Sequence, residues 1–371
     1  MQNIKKRLDK VRKELFAKKI EAFIVASAEN RRYLSGFTAV DNQPDELAGI
    51  IVITRDQAIL ITDFRYEIQA EAEIDSAFRL YIYKNNLLAE TADIIKKINP
   101  SAIGFESRRL TCFMHKQLTA YFKEKRIKAE TISCKNIVAN IRVIKEKSEI
   151  KLIKRSLDIA EAAFADFMKK FKLDMSEKEA AWMLEQMMRE KGADELSFPI
   201  IAASGPNAAI PHAICSDRLF KKGESILFDW GAKKNGYCSD ISRTFIVGKP
   251  DNLLKEAFNA VLEAQNRAIS LIKPGANSIN IDNEARKYID NAGFKGKFGH
   301  ALGHGVGLNV HEPPGINRID NTILKQGMVF TVEPGIYIKN YGGIRLENMV
   351  AVTKQGVEVL NASAPSLYLK I

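Results

Sequence analysis

Residues 226–242 read Ile226-Leu227-Phe228-Asp229-Trp230-Gly231-Ala232-Lys233-Lys234-Asn235-Gly236-Tyr237-Cys238-Ser239-Asp240-Ile241-Ser242. Two apolar segments flank Asn-Gly, a strong signal for a two-residue hairpin turn. With Asn235 and Gly236 in the turn, Lys234 faces Tyr237, and counting outward sets Asp229 opposite Ser242. Asp240 lies two residues from Ser242, so the two aspartates share one face as diagonal neighbours. Like charges that close on an apolar sheet repel one another and lose hydration. Something positive belongs between them.

A second hairpin repeats the problem. Glu333 lies in Val329-Phe330-Thr331-Val332-Glu333-Pro334 and Glu347 in Gly343-Ile344-Arg345-Leu346-Glu347-Asn348, with Lys339–Gly342 as the turn between them. The two glutamates sit symmetrically about residue 340 and can face one another. Taken alone, either hairpin reads as ordinary edge-strand acids paired with lysines; together they favour a functional cluster.

Three of the five histidines fall in one run, Gly299-His300-Ala301-Leu302-Gly303-His304-Gly305-Val306-Gly307 followed by His311-Glu312-Pro313-Pro314. The Lys-Ser/Thr ending of a phosphate loop is missing, and Gly315 stands where a zincin helix needs its second histidine. The glycines around His304 suggest backbone packed against a small bound object. Four carboxylates and one imidazole form a hard, oxygen-rich ligand set suited to Mn²⁺, Co²⁺, Fe²⁺ or a pair of Zn²⁺ ions. Four negative charges nearly cancel two divalent cations, and such a pair activates water and stabilises both ends of a displacement. The residues therefore point to a two-metal hydrolase.

The chain around this cluster has 371 residues, too long for one ordinary core. Its first part alternates strands near 22–27, 49–54, 57–62, 78–83 and 102–106 with helices at 86–97 and 111–125, an α/β pattern. The charged stretch Ile141–Lys151 then leads into a long helical pattern. The later part groups its helices (147–171, 176–191, 251–272, 278–291) between strand blocks (199–204, 225–232, 237–247 and from 327 onward). That grouping describes α+β with a mostly antiparallel sheet. The expected domains are 1–145 and 146–371.

The net charge of +11 is concentrated, because residues 1–20 hold eight basic and two acidic side chains. Ile4, Leu8, Val11 and Leu15 recur there at helical spacing, so this segment reads as the wet face of a surface helix rather than a nucleic-acid arm. The basic residues show no aromatic interleaving or nucleic-acid motif. The longest apolar runs have strand length, which excludes a membrane span, and no signal peptide is evident. Cys112, Cys134, Cys215 and Cys238 show no paired spacing and read as reduced thiols of a cytoplasmic protein.

The order Asp229, Asp240, His304, Glu333, Glu347, each in its local segment, resembles the pita-bread metallopeptidases: methionine aminopeptidase, prolidase and Xaa-Pro aminopeptidase. Asn30-Arg31-Arg32-Tyr33-Leu34-Ser35-Gly36-Phe37 and Asp63-Phe64-Arg65-Tyr66 resemble the creatinase/prolidase N-terminal domain, which methionine aminopeptidases lack. The resemblance implies an α/β N-terminal domain followed by an α+β pita-bread catalytic domain. It implies two divalent ions, Mn²⁺ first, with Asp240 and Glu347 shared, Asp229 completing one shell, and His304 and Glu333 the other. Glu333 takes the proton of the attacking water. His212, in Gly205-Pro206-Asn207-Ala208-Ala209-Ile210-Pro211-His212, matches the family's substrate-side histidine, and His300 and His311 match the pair that donates to the tetrahedral intermediate. Arg345 and Tyr337 resemble a relay orienting Asp229, although Tyr337 also reads as a packed strand aromatic.

The implied partners are a proline-containing peptide substrate and a second copy in a homodimer. Many prolidases resemble His-Glu-x-Pro-Arg at the 311 segment, and Gly315 removes that arginine, with Arg318 three residues on. The expectation is thus an Xaa-Pro aminopeptidase, with Xaa-Pro dipeptidase as the alternative. The rival from another class is a catalytically idle peptide- or protein-binding module on the same fold.

Overall fold

The computed structural model describes residues 3–41 and 43–369, so the outermost ends of both expected domains lie outside the described residues. The chain forms two compact units, Met1–Arg142 and Val143–Ile371.

The first unit is built on a six-stranded sheet. In spatial order its strands are Arg79–Ile82, Ala58–Thr62, Ile50–Thr54, Ala22–Val25, Ala102–Glu106 and Glu130–Cys134. Ile50–Thr54 and Ala58–Thr62 form the expected hairpin, with Ile53 opposite Ala58. The last strand went unread because Glu130-Thr131-Ile132-Ser133-Cys134 is polar and largely exposed, an edge position without a buried face. In helix Ile4–Ala17 the four apolar residues are buried as the spacing required. Arg7 departs from the expected wet face: it is fully buried, its guanidinium lies 4.0 Å from the Tyr33 ring centroid, and Nη1 donates to Tyr33 O at 2.9 Å.

In the second unit the hairpin register is the one counted from Asn-Gly: Lys234 pairs with Tyr237 and Asp229 with Ser242. Asn235 and Gly236 have φ of 50° and 78°, the doubly left-handed pair this turn type demands. The ladder is interrupted at residue 231 and at 239–240. A Cβ on Gly231 would lie 2.0 Å from Ser239 O, so only glycine allows the strands to close there. The second hairpin keeps one register throughout, with Val332 opposite Asn348 and Gly335 opposite Arg345, and Asn340 at φ 62° in its turn.

Helices cover these sheets. Lys147–Lys170 packs half-buried Phe164 and buried Phe167 against Phe228, Trp230 and Phe245, with Phe164 and Trp230 stacked at 4.1 Å between centroids. Asn252–Ser270 and Ser278–Ile289 form a second apolar core with Phe330, Val332, Ile344 and Val350. Gln265 Nε2 donates to Val332 O and Leu346 O at 2.8 and 2.9 Å, clamping the second hairpin beside its two glutamates. Among the described residues, no helix is long and apolar enough to cross a membrane, and the four cysteines are free.

Candidate metal centre

The five expected ligands meet in one place because five strand segments end there. Asp229 lies in Ser225–Trp230, Asp240 immediately precedes Ile241–Val247, and His304 is the centre of Gly303–Gly305. Glu333 follows Val329–Val332, and Glu347 precedes Asn348–Val352. Glu347 N–H donates to Ser242 O at 3.1 Å, joining the two hairpins, and Glu333 N–H donates to Leu302 O at 2.8 Å, joining the second hairpin to the His304 segment. His304 Nε2 stands 3.4 Å from both Asp240 Oδ2 and Glu333 Oε1. Asp240, His304 and Glu347 offer ligand atoms within 4.8 Å of one another.

All five line a cavity of about 540 Å³, shared with His212, His300, His311, Phe198 and Arg345 among others. Burial, then the neighbouring carboxylates Glu347 and Asp229, pushes the Asp240 carboxyl well above its ordinary range. Burial with Glu333 and Asp229 does the same to Glu347, and burial also raises Glu333. The imidazole of His304 is pushed down to about 3, first by burial and then by His311, whose ring centroid is 4.0 Å away. A neutral imidazole is the metal-ligating form.

These groups fit divalent cations. Asp229 Oδ1 and Glu347 Oε1 are buried without a hydrogen-bond partner, and Arg345 is the one Arg or Lys among the residues lining the cavity. Four converging carboxylates against one guanidinium leave a deficit of positive charge that buried acids do not sustain alone.

Arg345 is fully committed. Its Nε donates to Ser242 Oγ at 2.8 Å, Nη1 to Pro211 O and Tyr337 Oη at 3.0 Å each, and Nη2 to Asp229 Oδ2 at 2.6 Å. Tyr337 therefore reaches Asp229 through Arg345. The His300 assignment changes. Its Nδ1 lies 2.8 Å from Ala301 O and its Nε2 2.9 Å from Tyr337 Oη. The carbonyl takes the ring N–H, leaving the far nitrogen to accept from Tyr337, so His300 ends the Arg345–Tyr337 chain and has no donor left for a substrate. Burial pushes its imidazole down to about 4, in keeping with the neutral ring. His212 and His311 line the cavity with no hydrogen-bond partner among the described residues.

The glycines also read differently. A Cβ on Gly303 would lie 1.9 Å from Thr331 O, and one on Gly305 2.3 Å from Pro313 O. They admit neighbouring strands to the His304 strand rather than a bound object. Gly315, too, is filled from within the chain: its Cβ position is 2.4 Å from Asn317 Nδ2. Asn317 Oδ1 accepts from Ile319 N–H and Asp320 N–H, which leaves its amide N–H₂ as the cavity-lining donor. Arg318 is exposed and does not line the cavity.

Two supporting residues escaped sequence reading. Ser242 Oγ donates to Glu347 Oε2 at 2.8 Å, and Thr331 Oγ1 donates to Glu333 Oε1 at 3.1 Å while accepting from His304 N–H. Each lies two residues from a cluster acid, and strand alternation marks that spacing as the same face.

Comparisons with known proteins identify the family. The profile of metallopeptidase family M24 matches residues 151–354, and that of the creatinase/prolidase N-terminal domain matches 7–144. The solved structure of an Xaa-Pro dipeptidase from Bacillus anthracis superposes with a TM-score of 0.92 at 37% identity, covering 99% of this chain and 100% of that one. An Xaa-Pro dipeptidase of Pyrococcus furiosus is 34% identical over 98% of this chain and 100% of its own length. An X-Pro aminopeptidase from Thermotoga maritima superposes with a TM-score of 0.84 at 35% identity, covering 94% and 97%. The chain belongs to metallopeptidase family M24: it is a hydrolase with the pita-bread catalytic fold preceded by a creatinase/prolidase N-terminal domain.

Proposed function

We propose that the chain is an Xaa-Pro dipeptidase using two divalent ions, held by Asp229, Asp240, His304, Glu333 and Glu347. The observation that carries this reading is the convergence of four carboxylates, Asp240 and Glu347 buried and Asp229 and Glu333 nearly so, and His304 on one cavity whose single guanidinium is already spent. The ions supply Lewis-acid activation of water and of the scissile carbonyl. Mn²⁺ suits this oxygen-rich set, ahead of Co²⁺, Zn²⁺ or Fe²⁺.

The chain's own residues do the rest. Glu333, held by Thr331, takes the proton of the attacking water and returns it to the leaving prolyl nitrogen. His212 holds the bound substrate, and His311 donates to its carbonyl as charge develops on the oxygen. Arg345, buttressed by Tyr337 and His300, fixes Asp229. An Xaa-Pro bond is a tertiary amide without N–H, and a cavity that grips the carbonyl side does not need one.

The dipeptidase reading takes precedence over the aminopeptidase expected from Gly315, because the Bacillus anthracis and Pyrococcus furiosus relatives are dipeptidases. The aminopeptidase remains the second reading, favoured by the Thermotoga maritima relative and by a cavity whose described lining residues offer no free Arg or Lys to a substrate carboxylate. A homodimer and a cytoplasmic location belong to the same proposal on family resemblance alone. The test is hydrolysis of Ala-Pro by chelator-treated protein before and after Mn²⁺ addition. Release of proline only with Mn²⁺ supports the proposal, and inertness under both conditions refutes it, leaving the aminopeptidase or an idle binding module.

A further inference from the structure

Residues 205–215 leave the sheet as an excursion that supplies Pro211, His212, Ala213 and Ile214 to the cavity wall. One carboxylate closes its neck. Glu177, first residue of helix Glu177–Glu190, is fully buried and lies outside the cavity. Its Oε1 accepts from the N–H and hydroxyl of Ser204 at 2.8 and 3.1 Å. Its Oε2 accepts from the N–H and hydroxyl of Ser216 at 3.1 and 2.7 Å. Asn207 Nδ2 donates to both oxygens, at 3.2 and 3.0 Å. Ser204 ends the strand before the excursion and Ser216 follows it, so both sides of the neck close on one side chain.

Arg218 reinforces the neck, with Nη1 donating to Ser204 Oγ at 2.8 Å and Nη2 to Glu224 at 2.9 and 2.7 Å. At the tip, Arg345 Nη1 reaches Pro211 O. The imidazole of His212 has no hydrogen bond among the described residues and is exposed. Its place over the cavity is therefore inherited from the backbone, which Glu177 holds.

We propose that Glu177 is a positioning residue for His212, setting substrate affinity through the neck of the 205–215 excursion. Every group facing its two oxygens is a donor, so an acid is required: a glutamine would turn its own N–H₂ toward N–H groups and leave them unpaired. The metal ligands are carried by other segments and keep their places. This inference rests on the proposed Xaa-Pro hydrolysis for its kinetic test, and a second measurement is independent of activity.

The kinetic test compares Mn²⁺-loaded wild type, Glu177→Gln, His212→Ala and the double variant on Ala-Pro, with bound Mn²⁺ counted in each. Glu177→Gln is expected to raise KM about tenfold with kcat within about twofold and Mn²⁺ content unchanged. The double variant is expected to match His212→Ala, because a residue acting through His212 adds nothing once that imidazole is gone. An unchanged KM, or a full multiplicative loss in the double variant, overturns the proposal. Should Glu177→Gln fail to fold, Ser216→Ala removes one neck bond and is held to the same masking criterion. Independently, hydrogen exchange at 206–214 is expected to quicken in Glu177→Gln while strand 225–230 stays protected, and unchanged exchange overturns the neck. Wild type inert on Ala-Pro with a neck that still loosens would refute the dipeptidase reading and leave the positioning of His212 standing.

Discussion

Arg345 Nη2 donates to Asp229 Oδ2 at 2.6 Å, while Asp229 Oδ1, on the same carboxylate, is buried with no partner. One oxygen is fixed to the protein and the other meets no protein donor, as the proposed cation requires. The guanidinium orients the acid without neutralising the cluster, since its remaining nitrogens serve Ser242, Pro211 and Tyr337.

Replacing Arg345 by lysine keeps the charge but loses the fork that makes these bonds at once. Arg345→Lys is expected to lower Mn²⁺ affinity or kcat about 10–100-fold, the usual scale for a partner that orients a ligand. Mn²⁺ titration by calorimetry checks this, and wild-type affinity and turnover would remove Arg345 from the centre.

Asp240 is buried beside three like charges, Glu347, Asp229 and Glu333. Asp240→Ala is expected to abolish Ala-Pro hydrolysis and lower bound metal. In excess chelator it should be at least as stable as wild type, because it relieves repulsion that the cation normally offsets. Urea unfolding with EDTA measures this; a loss of about 3 kcal/mol or more would mean that Asp240 is held by protein partners instead.

The same repulsion sets a pH signature. Carboxyl groups whose folded pKa is raised bind protons more readily in the fold than in the unfolded chain. Below the unfolded histidine value of about 6.5 the depressed His300 and His304 oppose this effect. Stability of the metal-free protein should therefore decline as pH rises from about 6.5 through the Glu333 value of about 8. Saturating Mn²⁺ should flatten that decline. Thermal melts across this range, with and without EDTA, check both halves, and a metal-free protein that gains stability over the window contradicts the burial of like charges.

Gly303 is a packing requirement. Gly303→Ala places a methyl 1.9 Å from Thr331 O and is expected to cost about 1–3 kcal/mol with reduced metal binding, since the strand carrying His304 must move. An unaltered Tm and metal content would show that the strands have more room than this.

Much of the site was legible because its signals are local. Asn235-Gly236 determines the register that pairs Asp229 with Ser242, and the symmetry about residue 340 aligns Glu333 with Glu347. What escaped depends on packing between distant segments. Gly303 and Gly305 answer to Thr331 and Pro313, and Glu177 answers to Ser204 and Ser216. The His300 tautomer depends on Ala301 and Tyr337, and Arg7 looked like a surface base until Tyr33 folded beneath it. Short strands such as Gly303–Gly305 and Glu312–Ile316 carry no alternation long enough to read.

Gly315 bears on specificity. Asn317 Nδ2 occupies the glycine's side-chain space and gives the cavity wall a neutral donor, which on the proposed dipeptidase reading meets the substrate carboxylate. Asn317→Asp keeps the acceptor for Ile319 and Asp320 N–H but substitutes a negative charge for the amide donor. It is expected to weaken Ala-Pro by about tenfold more than Ala-Pro-amide in kcat/KM. Equal losses would place the substrate carboxylate elsewhere.

The most direct test of the central claim is kcat/KM for Ala-Pro against Ala-Pro-Gly, with chelated protein reconstituted at two equivalents of Mn²⁺. An Xaa-Pro dipeptidase releases proline from Ala-Pro faster than it cleaves the tripeptide, and only after metal is restored. Preference for Ala-Pro-Gly would assign the chain to the aminopeptidases instead, and metal-independent turnover of either peptide would contradict the account at its root.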